Sequence, residues 1–258
     1  FGLENNYQIA KEHFEISANE HNLEANLMLG NLYFYGKGVE VDYKKAFEYY
    51  KTVLQIDNNN FVALYYIGKM YLDGVGVDKD DVKAKKYFEL SAKNNCIEAL
   101  VKLGNIYYKG KGTAKDLSLA IFYYQKAADF NNLKAQYKLG MIYLNKKNDK
   151  KTYEKAKIDF EKASKSNYSK AYLMLGDLYK DGLGVNKNYF KALMMYNKAF
   201  EINRNRNAIF NIGYFYEKGF GVYQDYSKAV YYYELAAQYL NQHAILKLEN
   251  LYPLRKGI

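Results

Sequence analysis

The 258-residue chain contains one cysteine, one proline, no tryptophan and no long apolar run. The single cysteine, Cys96, excludes an internal disulfide framework. No apolar stretch approaches the roughly 20 residues that a membrane-spanning helix requires, so we predict no membrane insertion by this segment. The chain begins at Phe1 without a visible secretory leader. We interpret it as an excised or processed piece, which leaves its compartment undetermined.

Arginine is also scarce, because three arginines accompany a large excess of lysine in a chain with a formal net charge of +10. A basic chain can bind anionic partners. A composition rich in lysine, asparagine, tyrosine and isoleucine is also typical of proteins from A+T-rich genomes, and the charge would then have no functional meaning. The placement of the lysines on the fold must decide between these two interpretations.

Side chains that carry catalysis or bind metals are few. The three histidines, His13, His21 and His243, lie near the chain ends without a cysteine or carboxylate cluster at metal-ligand spacing. The sequence contains no H-E-x-x-H motif and no nucleophile elbow. We therefore predict no metal site, no cofactor and no catalytic residues, and an enzyme is the least favoured function.

The chain is built on an internal repeat. The stretch ANLMLGNLYFYGKGVEVDYKKAFEYY, residues 25–50, recurs five more times at intervals of 36 to 38 residues. A period of this size indicates stacked supersecondary units rather than one closed globule. The glycines that define repeats 1 to 6 are Gly30, Gly68, Gly104, Gly140, Gly176 and Gly213.

Each repeat predicts two helices, A and B. The glycine lies inside helix A, where it costs about 1 kcal/mol relative to alanine, so we interpret it as the place where a neighbouring backbone crosses closely. An alanine 16 residues later marks helix B, and an aromatic residue follows four residues after that alanine in every repeat. These aromatic residues are Tyr50, Phe88, Tyr124, Phe160, Tyr196 and Tyr233.

The segments between the helices contain residues that end one helix or cap the next. A G-x-G sequence after helix A supplies left-handed residues that end a helix, and asparagines such as Asn95, Asn131 and Asn167 close helix B in the same way. The predicted N-cap residues of helices B are Asp42, Asp80, Asp116, Thr152, Asn188 and Asp225. Repeat 4 has Lys146 and Asn148 in place of the two glycines, and we expect its loop to be more mobile.

The pattern A-x-x-x-L-G-x-x-Y-x-x-G-x-G-V-x-x-D-x-x-K-A-x-x-Y-Y resembles the Sel1-like repeat, a relative of the tetratricopeptide repeat. The 36-residue period and the absence of tryptophan favour it over the 34-residue tetratricopeptide unit. The resemblance implies an all-α fold, a right-handed superhelical solenoid of antiparallel helix pairs with helices A on the concave side. It also implies an adaptor that holds proteins or peptides together.

We predict a single solenoid over residues 1–258. Residues 1–20 form a half-unit with a helix B, and residues 241–252 form a terminal helix A that Pro253 ends. The six full repeats are expected at residues 21–58, 59–94, 95–130, 131–166, 167–203 and 204–240.

The face of helix A opposite its core positions is the candidate binding surface. It comprises the residues six and two before the glycine and one and five after it, which vary strongly between repeats. We call this face the A-helix stripe. Its candidate partner-binding residues are Asn31, Tyr35, Tyr66, Lys69, Lys102, Asn105, Lys109, Lys134, Lys138, Met141, Lys170, Met174, Asn211 and Tyr214.

Lysines occupy the middle repeats of the A-helix stripe, with asparagine, tyrosine and methionine on either side. Amides can bind the backbone of an extended peptide, and lysines can bind its acidic groups. We therefore predict a non-enzymatic scaffold for a protein or an acidic peptide. The alternatives are an RNA-binding helical repeat, for which the stripe lacks a regular code and arginine forks, and a solvated lysine face without a ligand.

Overall fold

The computed structural model describes residues 2–146 and 149–255. Within these residues every regular element is an α-helix, and there are fourteen of them. They are α1 (Gly2–Asn19), α2 (Leu23–Tyr35), α3 (Tyr43–Ile56), α4 (Phe61–Asp73), α5 (Asp81–Lys93), α6 (Ile97–Lys109), α7 (Leu117–Asp129), α8 (Leu133–Asn145), α9 (Lys150–Ser164), α10 (Ser169–Asp181), α11 (Tyr189–Asn203), α12 (Arg206–Lys218), α13 (Tyr226–Gln238) and α14 (Gln242–Arg255).

The helices alternate between the two predicted types. The even-numbered helices from α2 to α12 are helices A, and each packs most extensively against the helix B that follows it. The first helix is an unpaired helix B, and the last is an unpaired helix A. The predicted all-α solenoid of helix pairs is therefore confirmed.

The chain divides into two compact units, Phe1–Phe130 and Asn131–Ile258. The first unit contains α1 to α7 and the second contains α8 to α14. The single solenoid over residues 1–258, its repeat boundaries and its superhelical hand stay predictions.

The predicted helix ends are confirmed in five of the six repeats. In these repeats helix A ends at a glycine with a left-handed backbone, as at Gly36, where φ is 65°. The predicted aspartate or asparagine then accepts a hydrogen bond from the backbone N–H three residues on, as Asp42 does from Lys45 at 3.0 Å. Left-handed residues also follow helices B, and they include Asn95, Asn131 and Asn167, as expected.

Repeat 4 differs at both ends of its loop. Asp149 caps α9 by accepting from the Lys151 N–H at 3.0 Å, so the prediction of Thr152 as the N-cap is wrong. Helix α9 begins earlier because Asp149 offers a capping carboxylate before Thr152 is reached, and the Thr152 hydroxyl donates to the Asp149 carbonyl instead. Lys146 takes an extended backbone rather than a left-handed one. Asn148 lies outside the described residues.

The last helix continues beyond its expected end. Helix α14 extends to Arg255, so Pro253 does not end it at residue 252. A proline removes one backbone donor but keeps a helical φ, and a helix can pass it with one hydrogen bond fewer.

A buried aromatic ring covers the glycine inside each helix A. A β-carbon on Gly104 would lie 2.6 Å from the Tyr124 ring, and one on Gly68 would lie 3.1 Å from the Phe88 ring. Each of the six rings belongs to helix B of the same repeat and is fully buried. The close A–B crossing is confirmed, but the nearest neighbour of each of these glycines is an aromatic ring and not a backbone.

The second glycine of the interhelix loop joins successive repeats. At Gly112, φ is 64° and a β-carbon would lie 2.6 Å from the carbonyl of Asp81, in the first turn of the preceding helix B. Gly76 approaches the carbonyl of Tyr43 in the same way, also at 2.6 Å. The G-x-G sequence therefore ends one helix and also allows the loop to touch the previous repeat.

Candidate functional site

In repeats 1, 3 and 5 a tyrosine of helix B reaches through its helix pair to the A-helix stripe. The Tyr50 hydroxyl donates to Asn31 Oδ1 at 2.9 Å. Tyr124 donates to Asn105 Oδ1 at the same distance. In repeat 5 the equivalent Tyr196 binds an oxygen of Asp177 at 2.7 Å. An ionised carboxylate can only accept, so the tyrosine is the donor there.

Each repeat with a tyrosine at this place of helix B also provides an acceptor for the tyrosine hydroxyl. Where helix B has phenylalanine instead of tyrosine, the residue after the glycine is Lys69 or Met141, and neither side chain is an acceptor suited to this bond. Repeat 6 has Tyr214 at that place, and its helix B tyrosine, Tyr233, donates to Glu217 Oε2 at 2.5 Å. The type of residue after the glycine therefore depends in part on whether the helix B ring of the same repeat carries a hydroxyl.

This relationship shows that packing constrains part of the A-helix stripe, although the stripe lies opposite the core positions of helix A. Asn31 and Asn105 are half-buried, and the hydroxyls fix their Oδ1 oxygens. Each amide also carries two N–H donors on Nδ2 that the tyrosine bond does not use. A partner-binding role of these residues stays a prediction, but the side chains that would perform it are oriented by the fold.

Aromatic rings link helices α2 and α4 within the stripe. Tyr66 stacks on Tyr50 with 5.0 Å between ring centroids, and its hydroxyl lies 3.0 Å from that of Tyr35. Burial, together with the hydrogen bond to Tyr35, raises the pKa of Tyr66 above its usual value. Tyr66 is thus largely committed to packing, whereas Tyr35 is 52% exposed and accessible to a partner.

The lysines of the first unit differ in their surroundings. Lys69 Nζ lies 4.4 Å from the Phe34 ring centroid and 3.4 Å from an oxygen of Asp73. Lys102 is half-buried, and Lys109 is exposed. The stripe of this unit therefore carries three lysines and also three exposed carboxylates, Glu24, Asp73 and Glu98, and its exposed cation is Lys109.

The candidate stripe residues of the second unit differ in their exposure. Met141 and Met174 are half-buried against core residues. Lys138, Asn211 and Tyr214 are also half-buried. Lys134 and Lys170 are exposed. Three of the predicted stripe lysines thus lie in each compact unit, and a single central lysine cluster stays a prediction.

A buried carboxylate that the sequence analysis missed joins the last helix to repeat 6. Glu217 accepts from Tyr233, lies 3.1 Å from Lys247 Nζ and lies 2.9 Å from Lys218 Nζ. Burial opposes its ionisation, but these three partners outweigh burial and lower the pKa of Glu217 to about 2. The available signal was a carboxylate four residues after the glycine, where the other repeats have apolar, aromatic or lysine side chains.

A second overlooked carboxylate replaces a tyrosine. Tyr33 and Tyr49 stack at 5.8 Å between helices A and B, and repeats 2, 3 and 6 have the same stacked pair. In repeat 4, Asp159 takes the helix B place and is 7% exposed. Burial raises its pKa to about 6, although Lys162 lowers it.

Neither a metal-binding cluster nor a membrane-spanning helix is found in the part of the chain that the structure describes. In the described ranges no group of three histidine, cysteine or carboxylate side chains could hold a metal ion. No helix in the same residues has the length and apolar character to cross a bilayer. The side chains that the structure brings together on helices A are hydrogen-bonding and aromatic ones, which suit binding.

Comparisons with known proteins agree with this architecture. A family model described as the Sel1 repeat matches residues 1–22, 23–52, 62–96, 97–129, 133–168, 169–202 and 206–238. The structure is similar to c5321, a protective antigen of uropathogenic Escherichia coli strains with an SLR fold, at 28% identity and a TM-score of 0.82 over 95% of this chain. This chain spans about half of that protein, 51% of its length.

A second similar structure is a Sel1 repeat protein from Oxalobacter formigenes. It is 25% identical, with a TM-score of 0.71, and the match covers 84% of this chain and 85% of that one. Comparison with curated protein sequences finds no match.

Proposed function

Because the chain belongs to the Sel1 repeat family, whose repeats commonly serve as protein-interaction scaffolds, we propose that it is a non-enzymatic scaffold for a partner protein. The proposed contact is an extended, acidic segment of the partner. It lies on the A-helix stripe of the first unit, between Asn31 and Lys109.

The hydrogen bonds from Tyr50 and Tyr124 carry this proposal. Each hydroxyl binds the amide oxygen of a stripe asparagine at 2.9 Å. The same side-chain orientation therefore recurs at Asn31 and Asn105, which leaves N–H donors for the carbonyl groups of an extended chain. Binding then requires little further ordering of the asparagines, because the fold has already restricted them.

The charged and aromatic residues of this part of the stripe define the preferred ligand. Lys102 and Lys109 favour carboxylates, and Tyr35 offers an exposed ring for an apolar side chain. Surface lysines contribute mainly to the association rate and to specificity. An acidic peptide with at least one large apolar residue fits these groups better than a basic one.

The experiment begins with capture of partner proteins on the immobilised chain and measures the affinity of each purified partner by titration. Asn31→Ala with Asn105→Ala is expected to weaken binding, and Lys102→Glu with Lys109→Glu is expected to weaken it further at low salt. Asn58→Ala is the matched control, since Asn58 is an exposed asparagine in a loop. Unchanged affinity of every partner for both double variants would contradict the proposed site.

Single-stranded RNA provides the competing outcome. An RNA-binding repeat would retain the oligonucleotide with an affinity that falls steeply with salt. Tight, salt-dependent RNA binding that the lysine variants abolish, without any partner protein, would replace the scaffold proposal by the nucleic-acid alternative.

A further inference from the structure

A cleft in the first unit lies between helices α5 and α7 and is separate from the A-helix stripe. It has a volume of about 460 Å³, within the roughly 300–1,000 Å³ typical of ligand pockets. Its lining comes from α5, from Leu100 on α6 and from α7. We call it the α5–α7 cleft.

The floor and one wall of the cleft are apolar. Leu100 is fully buried, and Ala92 and Leu90 extend the floor along α5. Phe122 forms the wall, packs edge-on against Tyr123 at 5.2 Å and is 48% exposed. A large ring this open to water can gain hydrophobic stabilisation by covering a partner side chain.

Three exposed lysines surround the apolar surface: Lys86, Lys93 and Lys126. Among the described ion pairs none brings a carboxylate within 4 Å of these three ammonium groups. Lys126 Nζ lies 4.8 Å from the Phe122 ring centroid. The acidic residue of the lining, Glu89, accepts a hydrogen bond from the Tyr107 hydroxyl at 3.1 Å.

Another cleft on the same unit differs in the charge of its lining. That cleft, of about 700 Å³, has two lysines, Lys44 and Lys45, and two carboxylates, Glu15 and Glu48, in its lining. Lys45 also lies 3.8 Å from an oxygen of Asp42. A ligand with one sign of charge gains less there than in the α5–α7 cleft.

We propose that the α5–α7 cleft is a second docking site, which binds an acidic amphipathic segment of a partner protein. A large apolar side chain of that segment enters the cleft over Leu100 and against Phe122. Carboxylates that flank this side chain pair with the three rim lysines. The ligand is thus complementary to the cleft, because its centre is apolar and the charge around that centre is opposite to the charge of the rim lysines.

The test uses fluorescence anisotropy of a short labelled peptide with leucine and phenylalanine one helical turn apart and glutamates on both sides. Phe122→Ser is expected to weaken binding roughly tenfold, as the loss of a buried aromatic contact predicts. Lys93→Gln with Lys126→Gln is expected to weaken it roughly fivefold at low salt and to reduce its salt dependence. All three residues are exposed, and circular dichroism verifies that the variants are folded.

Matched controls keep this site distinct from the A-helix stripe. Lys198→Gln, at the place of Lys126 two repeats later, together with Lys79→Gln in a loop, should leave binding unchanged. Asn31→Ala with Asn105→Ala should also leave this peptide's affinity unchanged, even if the proposed function fails. If Phe122→Ser and the double lysine variant bind the peptide as tightly as the wild-type chain does, the proposal is overturned. It is also overturned if the wild-type chain binds a peptide with lysines in place of the glutamates equally tightly.

Discussion

The Tyr50 hydroxyl donates a hydrogen bond of 2.9 Å to Asn31 Oδ1, and this bond runs from the core of a helix pair to its candidate binding surface. The same tyrosine ring covers the glycine next to Asn31 in the sequence. One side chain therefore fills the space above Gly30 and orients the amide beside it. Packing and binding surface are coupled at this point of the repeat.

Removal of the Tyr50 hydroxyl tests this coupling. Tyr50→Phe and Asn31→Ala are each expected to lower the free energy of unfolding by about 1 kcal/mol, because each breaks the same bond. The double variant should lose less than the sum of the two. Urea denaturation measures all three. Tyr223→Phe, at a ring that is 98% exposed, is the control and should have no effect; strict additivity of the first pair would contradict a shared bond.

The glycines inside helices A permit a graded test of packing. Alanine improves helix propensity by about 1 kcal/mol, but at Gly104 its β-carbon would lie 2.6 Å from the Tyr124 ring. Overpacking of this kind costs about 1–3 kcal/mol, so Gly104→Ala should be destabilised. Gly68→Ala is the matched variant, and since its nearest ring atom is 3.1 Å away, it should be affected less. A Gly104→Ala protein more stable than wild type in thermal unfolding would show that the ring moves freely.

The stability of the protein is expected to fall as Asp159 ionises. Burial raises the pKa of Asp159 from 3.8 to about 6, so the folded state favours the neutral acid. The free energy of unfolding is therefore highest below about pH 4, where Asp159 is neutral in both states. It falls by about 3 kcal/mol as the pH rises through about 6 and Asp159 ionises in the folded state. Asp159→Asn should remove this pH dependence from urea unfolding curves, whereas Asp78→Asn, at an exposed loop residue, should preserve it.

Glu217 predicts the opposite dependence on pH. Its partners lower its pKa from 4.5 to about 2, so its contribution to folding is present above about pH 4.5 and is lost as the pH falls towards 2. Glu217→Gln should lower the free energy of unfolding at pH 7 by about 1–3 kcal/mol, because Lys247 then loses its charged partner. Glu249→Gln is the control, because Glu249 is an exposed carboxylate on α14, the helix that carries Lys247. Equal stability of the two variants at pH 7 would argue against the buried network.

Much of the local structure could be predicted because it depends on residues close in sequence. The glycine after helix A takes the left-handed backbone that ends a helix, and Asp42 caps the helix that begins one residue later. Repeat 4 shows the limit of this reasoning. Asp149 and Thr152 can both cap a helix, and the earlier residue caps α9 in a loop that has lost its two glycines.

The candidate site was less accessible to sequence reasoning because its contacts join different helices. Asn31 was assigned to the face of helix A opposite its core positions, and the structure shows that it accepts from Tyr50, 19 residues away. Glu217 and Lys247 are separated by 30 residues and belong to different repeats. A pattern that is compared position by position does not reveal pairs of this kind.

The sequence alone determined the period, the two helix types and the recurrence of a glycine in helix A and an aromatic residue in helix B, because these depend on backbone preferences and apolar spacing that recur in every repeat. Only the tertiary structure decided which stripe residues are oriented by a hydroxyl and which carboxylates are buried. It also decided where an apolar cleft is surrounded by lysines. These features arise from contacts between neighbouring helices, where one substitution changes the hydrogen-bond partner or the exposure of a side chain and leaves the repeat pattern intact.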